Sequence, residues 1–389
     1  MVRRKHFTGS IATLTVDTVT IAAPRQQSLA PALRAAAGLA AAMGIGRFAY
    51  TPLMPVMIDA GRMDAHAGAV VAAANYAGYL LGAVLLARRP EWNSRNLFRL
   101  AAAVLVASEA LMAWPAPTAV PVVLRLLAGV ASAIVFIGCA GIAARHENRR
   151  RAAGIAFSGV GCGIALTGLL ALAARPIASW QAMWLGAAVL TALLLLPALR
   201  LDIVPGARAV ATAARSLRAW RALLVSYFLE GLGYIVIGTF LVAAVSTPGH
   251  QSLGTAMWVV VGLAAAPATV LWGLAARRWT PITALIVALL LQVVSAVLPA
   301  VSTGVIPAVV SAALFGGTFM GIVMLSIEVG GDLAGPGAAA ALTAWYSCGQ
   351  MLGPLAVAPV LGSSYAAAFA IAAVVLGLAT AAALPVRRT

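Results

Sequence analysis

Apolar residues fill long runs along nearly the whole chain, and short polar segments separate these runs. Each run has about 20 residues, enough to cross the ~30 Å hydrocarbon core of a bilayer as a helix. The runs are much longer than the alternating strands of about ten residues that build membrane barrels. The pattern therefore predicts an all-α membrane protein with twelve transmembrane helices. The predicted spans are 33–58, 66–87, 97–114, 121–144, 152–174, 179–199, 220–245, 254–275, 281–301, 305–327, 338–360 and 364–384.

The composition excludes a soluble globular protein. Of the 389 residues, 62% are hydrophobic and only 9% are charged, and the mean hydropathy is +0.99. A soluble domain carries about 25% charged residues, because its surface faces water. This chain has too few charges to cover such a surface, so most of its exposed side chains must face lipid.

The basic residues predict the orientation of the chain in the membrane. If the N-terminus is cytoplasmic, 22 of the 26 Lys and Arg residues lie in cytoplasmic segments and only Arg62 and Arg175 lie outside. The remaining two, Arg47 and Arg125, lie within spans. This bias predicts a multi-pass protein of the bacterial cytoplasmic (inner) membrane with both termini in the cytoplasm. The net charge of +16 therefore indicates topology and not a nucleic-acid partner.

The predicted spans form two sets of six that repeat at an offset of about 184 residues, which aligns Tyr50 with Tyr234. A long basic segment separates the two sets. Two six-helix halves in parallel orientation, with a substrate site between them, are the architecture of the major facilitator transporters. The predicted organisation is a cytoplasmic and disordered tail (1–32), an N-terminal six-helix bundle (33–200), a cytoplasmic linker (201–219) and a C-terminal six-helix bundle (220–389).

Four stretches resemble the YbfB/YjiJ-type major facilitator proteins of bacteria. They are GIGRFAYTPLMP in the first span, GIAFSGVGCGIALTG in the fifth, YFLEGLGYIVIGTFL in the seventh and ALTAWYSCGQMLGPLAVAPVL in the eleventh. The fourth span also has the wider superfamily's pattern of an Arg followed four residues later by Gly, as Arg125 and Gly129. The superfamily's motif between the second and third spans is degenerate here. The resemblance implies secondary active transport linked to protons, and it names no substrate.

Arg47 lies near the middle of the first span. A central Arg costs about 2.5–3.5 kcal/mol on insertion scales, so such a residue usually faces the interior of a bundle. Helical spacing places it on one face with Tyr50, and Pro52 and Pro55 predict a kink beyond it. Two interpretations stand: a structural charge bonded to neighbouring carbonyls, or a residue that lines a substrate cavity.

Glu230 is the corresponding charge of the seventh span, on one face with Tyr227 and Tyr234. An apolar cavity disfavours the ionised carboxylate, and a nearby Arg favours it, so Glu230 could bind and release a proton. We expect it to serve as the proton site, with Arg47 as its counter-ion or as the anchor for an anionic substrate group. The alternative is a permanently bonded Glu that ties two helices together.

Two further charges lie close to the predicted outer ends of the third and fourth spans. Arg125 either extends its side chain to the interface or belongs to the site. Glu109 is near enough in the predicted topology to pair with it. We assign both to the substrate or proton pathway with less weight than Arg47 and Glu230.

Neutral polar residues recur on single faces of two other spans. They are Asn75 and Tyr79 in the second span, and Tyr346 and Gln350 in the eleventh. Such groups most often form hydrogen bonds between helices. The family resemblance favours Gln350, and we expect it to orient the substrate by hydrogen bonds together with Tyr50 and Tyr234 around a central cavity. Weaker candidates are Asn75, Tyr79, Tyr227 and Tyr346.

The second and eleventh spans each contain a GxxxG pair, Gly78 with Gly82 and Gly349 with Gly353. Small residues at this spacing let helix backbones approach closely. The two spans face each other in the fold that the resemblance implies, so these pairs predict either a sliding contact between the halves or static packing.

The sequence favours no enzyme, cofactor or metal site. The three cysteines are scattered, the four histidines lie in tails, loops or span ends, and there is no nucleotide-binding glycine motif. The predicted function is a proton-coupled carrier that moves a small organic solute by alternating access as a monomer in the bilayer. The alternative is a membrane sensor or scaffold on the same fold that transports nothing.

Overall fold

A computed structural model describes residues 28–205, 214–246, 251–335, 337–361 and 365–388, and every regular element in these ranges is helical. The helices are α1 (Ala30–Leu39), α2 (Tyr50–Asp59), α3 (Ala65–Arg88), α4 (Arg95–Leu111), α5 (Ala119–Arg145), α6 (Arg149–Ala174), α7 (Trp180–Ala198), α8 (Leu217–Val245), α9 (Gln251–Arg278), α10 (Pro281–Val301), α11 (Val305–Ala334), α12 (Ala338–Leu361) and α13 (Tyr365–Ala383). A π-helical turn, Ala40–Ile45, follows α1 directly.

Nine helices in the described ranges are long and apolar enough to cross a membrane, namely α3, α5 to α11 and α13. The other predicted spans also coincide with helices, although the first one does not form a single helix. It is divided into α1, the π turn and α2. Most of the predicted tail (1–27) and the middle of the linker (206–213) lie outside the described residues.

Short polar residues mark where several helices begin. The Asp64 carboxylate accepts a hydrogen bond of 2.7 Å from the backbone amide of Ala67 and so caps α3. Side chains in the same role satisfy the first free amides of the helices that follow them, because those amides have no partner within the helix. The capping residues of α4, α7, α8 and α10 are Ser94, Ser179, Ser216 and Thr280.

Small residues join the N-terminal and C-terminal halves of the chain along α6 and α9. A methyl group at Gly161 would overlap the backbone of Ala266, and one at Gly262 would overlap the backbone of Ala165. The two helices thus present small residues four apart to each other in a reciprocal crossing. This geometry brings the backbones close enough for extensive van der Waals contact, the main source of helix association in lipid.

The predicted sliding contact between glycine pairs is wrong. Gly78 and Gly82 pack against α5, which belongs to the same half of the chain. Gly349 and Gly353 pack against α8, again within one half. Helices α3 and α12 do contact each other, but the atoms nearest to these four glycines belong to α5 and α8. The glycines therefore serve static packing within each half.

Large apolar side chains lie exposed on the outward faces of the helices, among them Leu193, Leu263 and Val374. An apolar exterior of this kind is unsuitable for water and suits a hydrocarbon environment. The helices that carry it form the rim around a buried centre in which the polar site residues lie.

The α6–α9 crossing generates a prediction about stability. Gly161→Ala should lower the free energy of unfolding by about 1–3 kcal/mol, because the added methyl group overlaps the Ala266 backbone. Gly377→Ala is the matched control, since no atom lies within 4 Å of its added methyl group. The control should be neutral or slightly stabilising. Unfolding of the purified proteins in mixed micelles measures both, and equal stability of the two variants would contradict the packing role.

Candidate functional site

The first membrane segment is broken beside Arg47. The π turn ends at Ile45, residues 46–49 form a turn, and α2 begins at Tyr50. Pro52 has no N–H to donate to the carbonyl of Phe48, which instead accepts a hydrogen bond of 3.2 Å from the Thr51 amide. In a regular helix the Thr51 amide would donate to the Arg47 carbonyl, so this carbonyl is left without its backbone partner.

Arg125 supplies the missing partners from α5. Its two terminal nitrogens donate to the carbonyl oxygens of Gly46 and Arg47, each at 2.8 Å. Backbone carbonyls inside a membrane protein need such partners, because hydrocarbon offers none. The Asn75 side chain in turn donates to the Arg125 carbonyl at 2.9 Å. Arg125 is therefore a buried clamp on the break and does not extend to the membrane interface.

The break directs the Arg47 side chain across the two halves of the chain. Its guanidinium donates a hydrogen bond of 2.5 Å to Oε1 of Gln350 on α12. The rings of Tyr79 and Tyr76 on α3 lie 4.6 Å and 5.0 Å from the guanidinium carbon, within cation–π range. The residue is only 3% exposed, so its charge is held entirely by protein groups.

Gln350 extends this contact into a stack of tyrosines. Its side-chain nitrogen donates to the hydroxyl of Tyr234 on α8. The Tyr234 ring stacks on Tyr346 at 5.3 Å between centroids, and Tyr346 stacks on Tyr227 at 4.4 Å. A chain of polar and aromatic contacts thus runs from Arg47 into the C-terminal half.

Glu230 lies at the other end of this region, fully buried on α8. Neither carboxylate oxygen has a hydrogen-bond partner among the described residues, and the unpartnered amide of Gln292 on α10 is its polar neighbour. The predicted ion pair with Arg47 is wrong in this conformation, since Gln350 takes the guanidinium. Tyr234 lies within electrostatic range of both charges.

Comparison with known proteins agrees with this architecture. The family model described as an uncharacterised MFS-type transporter YbfB matches residues 39–384. The chain belongs to this family. No curated protein matches it at a significant level.

Two solved structures have the same fold as this YbfB-type chain. A mutant form of the nucleoside transporter NupG is 13% identical with a TM-score of 0.71, and the match covers 92% of this chain and all of that one. A bacterial homologue of the human lysosomal transporter Spinster, in an inward-facing and unoccupied conformation, is 14% identical with a TM-score of 0.68 over 92% and 97% of the chains. At these identities the matches show the fold alone.

Tyr50 does not join the Arg47 cluster, contrary to the prediction from helical spacing. Its hydroxyl donates to the carbonyl of Gly68 at 3.1 Å, and the Arg125 guanidinium lies 5.5 Å from its ring. The break between the two residues changes the direction of the chain, so a spacing of three no longer places them on one face. Tyr50 supports the clamp and does not line the Arg47 contact.

Glu109 and Arg125 do not form the predicted ion pair either. Both carboxylate oxygens of Glu109 are buried without a hydrogen-bond partner in the described structure. Arg125 lies within electrostatic range of Glu109, but its two terminal nitrogens donate to the carbonyls of Gly46 and Arg47. Thr191 on α7 is the polar neighbour of Glu109, and its hydroxyl is also unpartnered.

Two contacts between the halves of this YbfB-type protein were not predicted. The Thr51 hydroxyl donates to the carbonyl of Gly238 at 2.6 Å, and the hydroxyls of Tyr76 and Thr239 lie 3.0 Å apart. Neither contact stands out in the sequence, because Thr and Tyr occur in many spans and a backbone carbonyl leaves no sequence signal. Gln292 was missed as well, although it is the only side-chain amide in the span 281–301 and is a usable signal for that reason.

The described residues contain no group of three or more His, Cys, Asp or Glu side chains that could hold a metal ion. The three cysteines are unpaired. The polar groups of the site are two guanidiniums, two buried carboxyls, three side-chain amides and several phenols. These groups suit binding of a solute and of protons.

The Arg47–Gln350 contact predicts strong coupling in a double-mutant cycle. Arg47→Ala and Gln350→Ala should show a coupling of about 1.5–3 kcal/mol in unfolding free energy, because a buried hydrogen bond to a charged group is lost only once. As a control, Tyr50→Phe with Gln350→Ala should be additive within about 0.5 kcal/mol. Additivity in the first cycle would show that the contact contributes nothing.

Proposed function

We propose that this YbfB-type protein is a secondary active transporter of a small organic solute that works by alternating access and is coupled to protons. The family and the fold are those of membrane transporters. The observation that carries the proposal is the buried hydrogen bond between Arg47 and Gln350, which joins the two halves of the chain. Such a contact can break and form again as the halves move.

The proposed arrangement has twelve membrane spans in two six-helix units, residues 33–200 and 220–389. Both termini face the cytoplasm, and the protein acts as a monomer in the bacterial cytoplasmic membrane. The distribution of Lys and Arg supports this orientation. Contacts between α6 and α9, and between α3 and α12, are the surfaces on which the two units would rock.

The proposed role of Arg47 is to bind an anionic group of the solute. Arg47 has no carboxylate partner among the described residues, so its charge is free to attract an anion. The solute would replace the Gln350 oxygen on the guanidinium. Gln350 and Tyr234 would then orient the solute through hydrogen bonds, and the rings of Tyr76 and Tyr79 would hold Arg47 in place.

The proposed role of Glu230 is to bind the coupled proton. A fully buried carboxyl without a hydrogen-bond partner is stable as the neutral acid and costly as an anion. When the region around Glu230 opens to water, the carboxylate can be hydrated, and the proton can leave. The neighbours of this carboxyl are Tyr227, Tyr346 and Gln292. Their contacts would change when Glu230 gains or loses its charge. Symport and antiport use these same parts.

Ligand binding tests the role of Arg47 directly. A panel of small organic carboxylates, amines and neutral analogues should contain carboxylates that raise the unfolding temperature of the purified protein, because a ligand that binds the folded state stabilises it. A hundredfold excess over the Kd contributes about 2.7 kcal/mol. Arg47→Ala should abolish the shift. Stabilisation by amines alone, or an undiminished shift in the variant, would contradict an anion anchor.

Proton coupling is tested in liposomes with a carboxylate found in that way. Solute movement should move protons in the wild type and in the control Glu91→Gln, whose side chain is exposed. In Glu230→Gln the proton movement should disappear, because an amide cannot titrate. Unchanged coupling in Glu230→Gln would remove the proposed role of this residue.

A further inference from the structure

A second buried carboxyl lies in the N-terminal half, where the proposed solute and proton sites leave it unused. Glu109 on α4 is 1% exposed, and neither of its oxygens has a hydrogen-bond partner in the described structure. The hydroxyl of Thr191 beside it is also unpartnered. Buried polar groups are normally satisfied, so a buried carboxyl whose polar neighbour is one neutral hydroxyl has the capacity to accept from a stronger donor in another state.

The partner that such a state would use is Arg125. Its terminal nitrogens bind the carbonyls of Gly46 and Arg47, and its third nitrogen, Nε, is buried without a partner. A carboxylate is a far better acceptor for a guanidinium than a neutral carbonyl, because both groups are charged and the fork geometry matches. An ionised Glu109 would therefore compete with the two carbonyls for the clamp.

We propose that Glu109 is a second proton-binding residue, which controls the break in the first membrane segment through Arg125. While Glu109 is a neutral acid, Arg125 holds the carbonyls of Gly46 and Arg47, as in this structure. When Glu109 loses its proton, its carboxylate draws the guanidinium away. The carbonyls then lose their partners, and the turn that carries Arg47 is free to rearrange.

The charged and titratable surroundings of Glu109 are few. Helix α4 packs against α5, which contributes Arg125, and against α7, which contributes the neutral Thr191. Arg125 in turn faces Arg47 on the break, Tyr50 on α2 and Tyr76 on α3. Arginine stays charged and a phenol ionises only near pH ~10, so Glu109 is the one group of this cluster whose charge can change below that pH.

One part of this inference rests on the proposed function, namely that the release of Arg47 serves transport. The switch itself concerns backbone hydrogen bonds. It can therefore be measured in purified protein with no solute and no membrane gradient.

Hydrogen–deuterium exchange of the full chain in nanodiscs tests the switch. The readout is the protection factor, corrected for intrinsic exchange, of the peptide that contains the amides of Gly46, Ala49 and Thr51. In the wild type it should fall at least about tenfold as the pH rises, because the loss of even one of the two charge-assisted hydrogen bonds is worth about that factor. In Glu109→Gln it should stay high at every pH. In Arg125→Lys, which loses the two-pronged donor, it should be low at every pH.

The control is Glu91→Gln, which removes an exposed carboxylate and should behave like the wild type. A protection factor that does not change with pH in the wild type overturns the proposal. A pH dependence that persists in Glu109→Gln overturns it as well. If that variant fails to fold, infrared spectra of Glu230→Gln, which keeps Glu109, supply a second measurement. As the pH rises, the carboxylic-acid band of Glu109 should disappear with the same pH midpoint as the fall in the protection factor. Different pH midpoints overturn the proposal.

Failure of the switch and failure of transport give different results. A pH-sensitive break without solute-driven proton movement in liposomes would leave the switch standing and overturn the proposed transport. Proton-coupled transport that requires Glu230, together with a break insensitive to Glu109, would do the reverse.

Discussion

The two carbonyls released by the break in the first membrane segment must find hydrogen-bond donors inside a nonpolar environment. Pro52 withholds one amide, the Thr51 amide moves to Phe48, and Arg125 then supplies two donors from α5. The orientation of Arg47 depends on this exchange, because a continuous helix would point the side chain elsewhere. Arg47, whose charge is costly to bury in the first span, is thus positioned by a second buried arginine, Arg125.

The network on the far side of Arg47 belongs to the other half of the chain. Gln350 accepts from the guanidinium and donates to Tyr234, which stacks on Tyr346. A neutral amide holds the cation less tightly than a carboxylate would, since hydrogen bonds between two charged groups are stronger. An incoming anion could therefore replace Gln350 at modest cost. An ion pair with Glu230 would have been much harder to separate.

The sequence patterns predicted the helices well and the site only in part. Long apolar runs that cross a membrane must form helices or barrels, and the predicted span 281–301 has the same first and last residues as α10. The buried charges Arg47 and Glu230 were found because each is costly in a span. The predicted ion pair between Arg47 and Glu230 was wrong, because no sequence pattern shows that Gln350 is the hydrogen-bond partner of Arg47. Tyr50 failed for a local reason, since helical spacing does not hold across a break.

The central claim is that Arg47 and Gln350 lie at a point that opens to each side of the membrane in turn. Gln350→Cys in a chain whose native cysteines are replaced by alanine allows a direct measurement. A membrane-impermeant thiol reagent is applied to right-side-out vesicles and, separately, to inverted vesicles. The account predicts that the cysteine is labelled in both preparations. Labelling in only one preparation, or in neither, would contradict it.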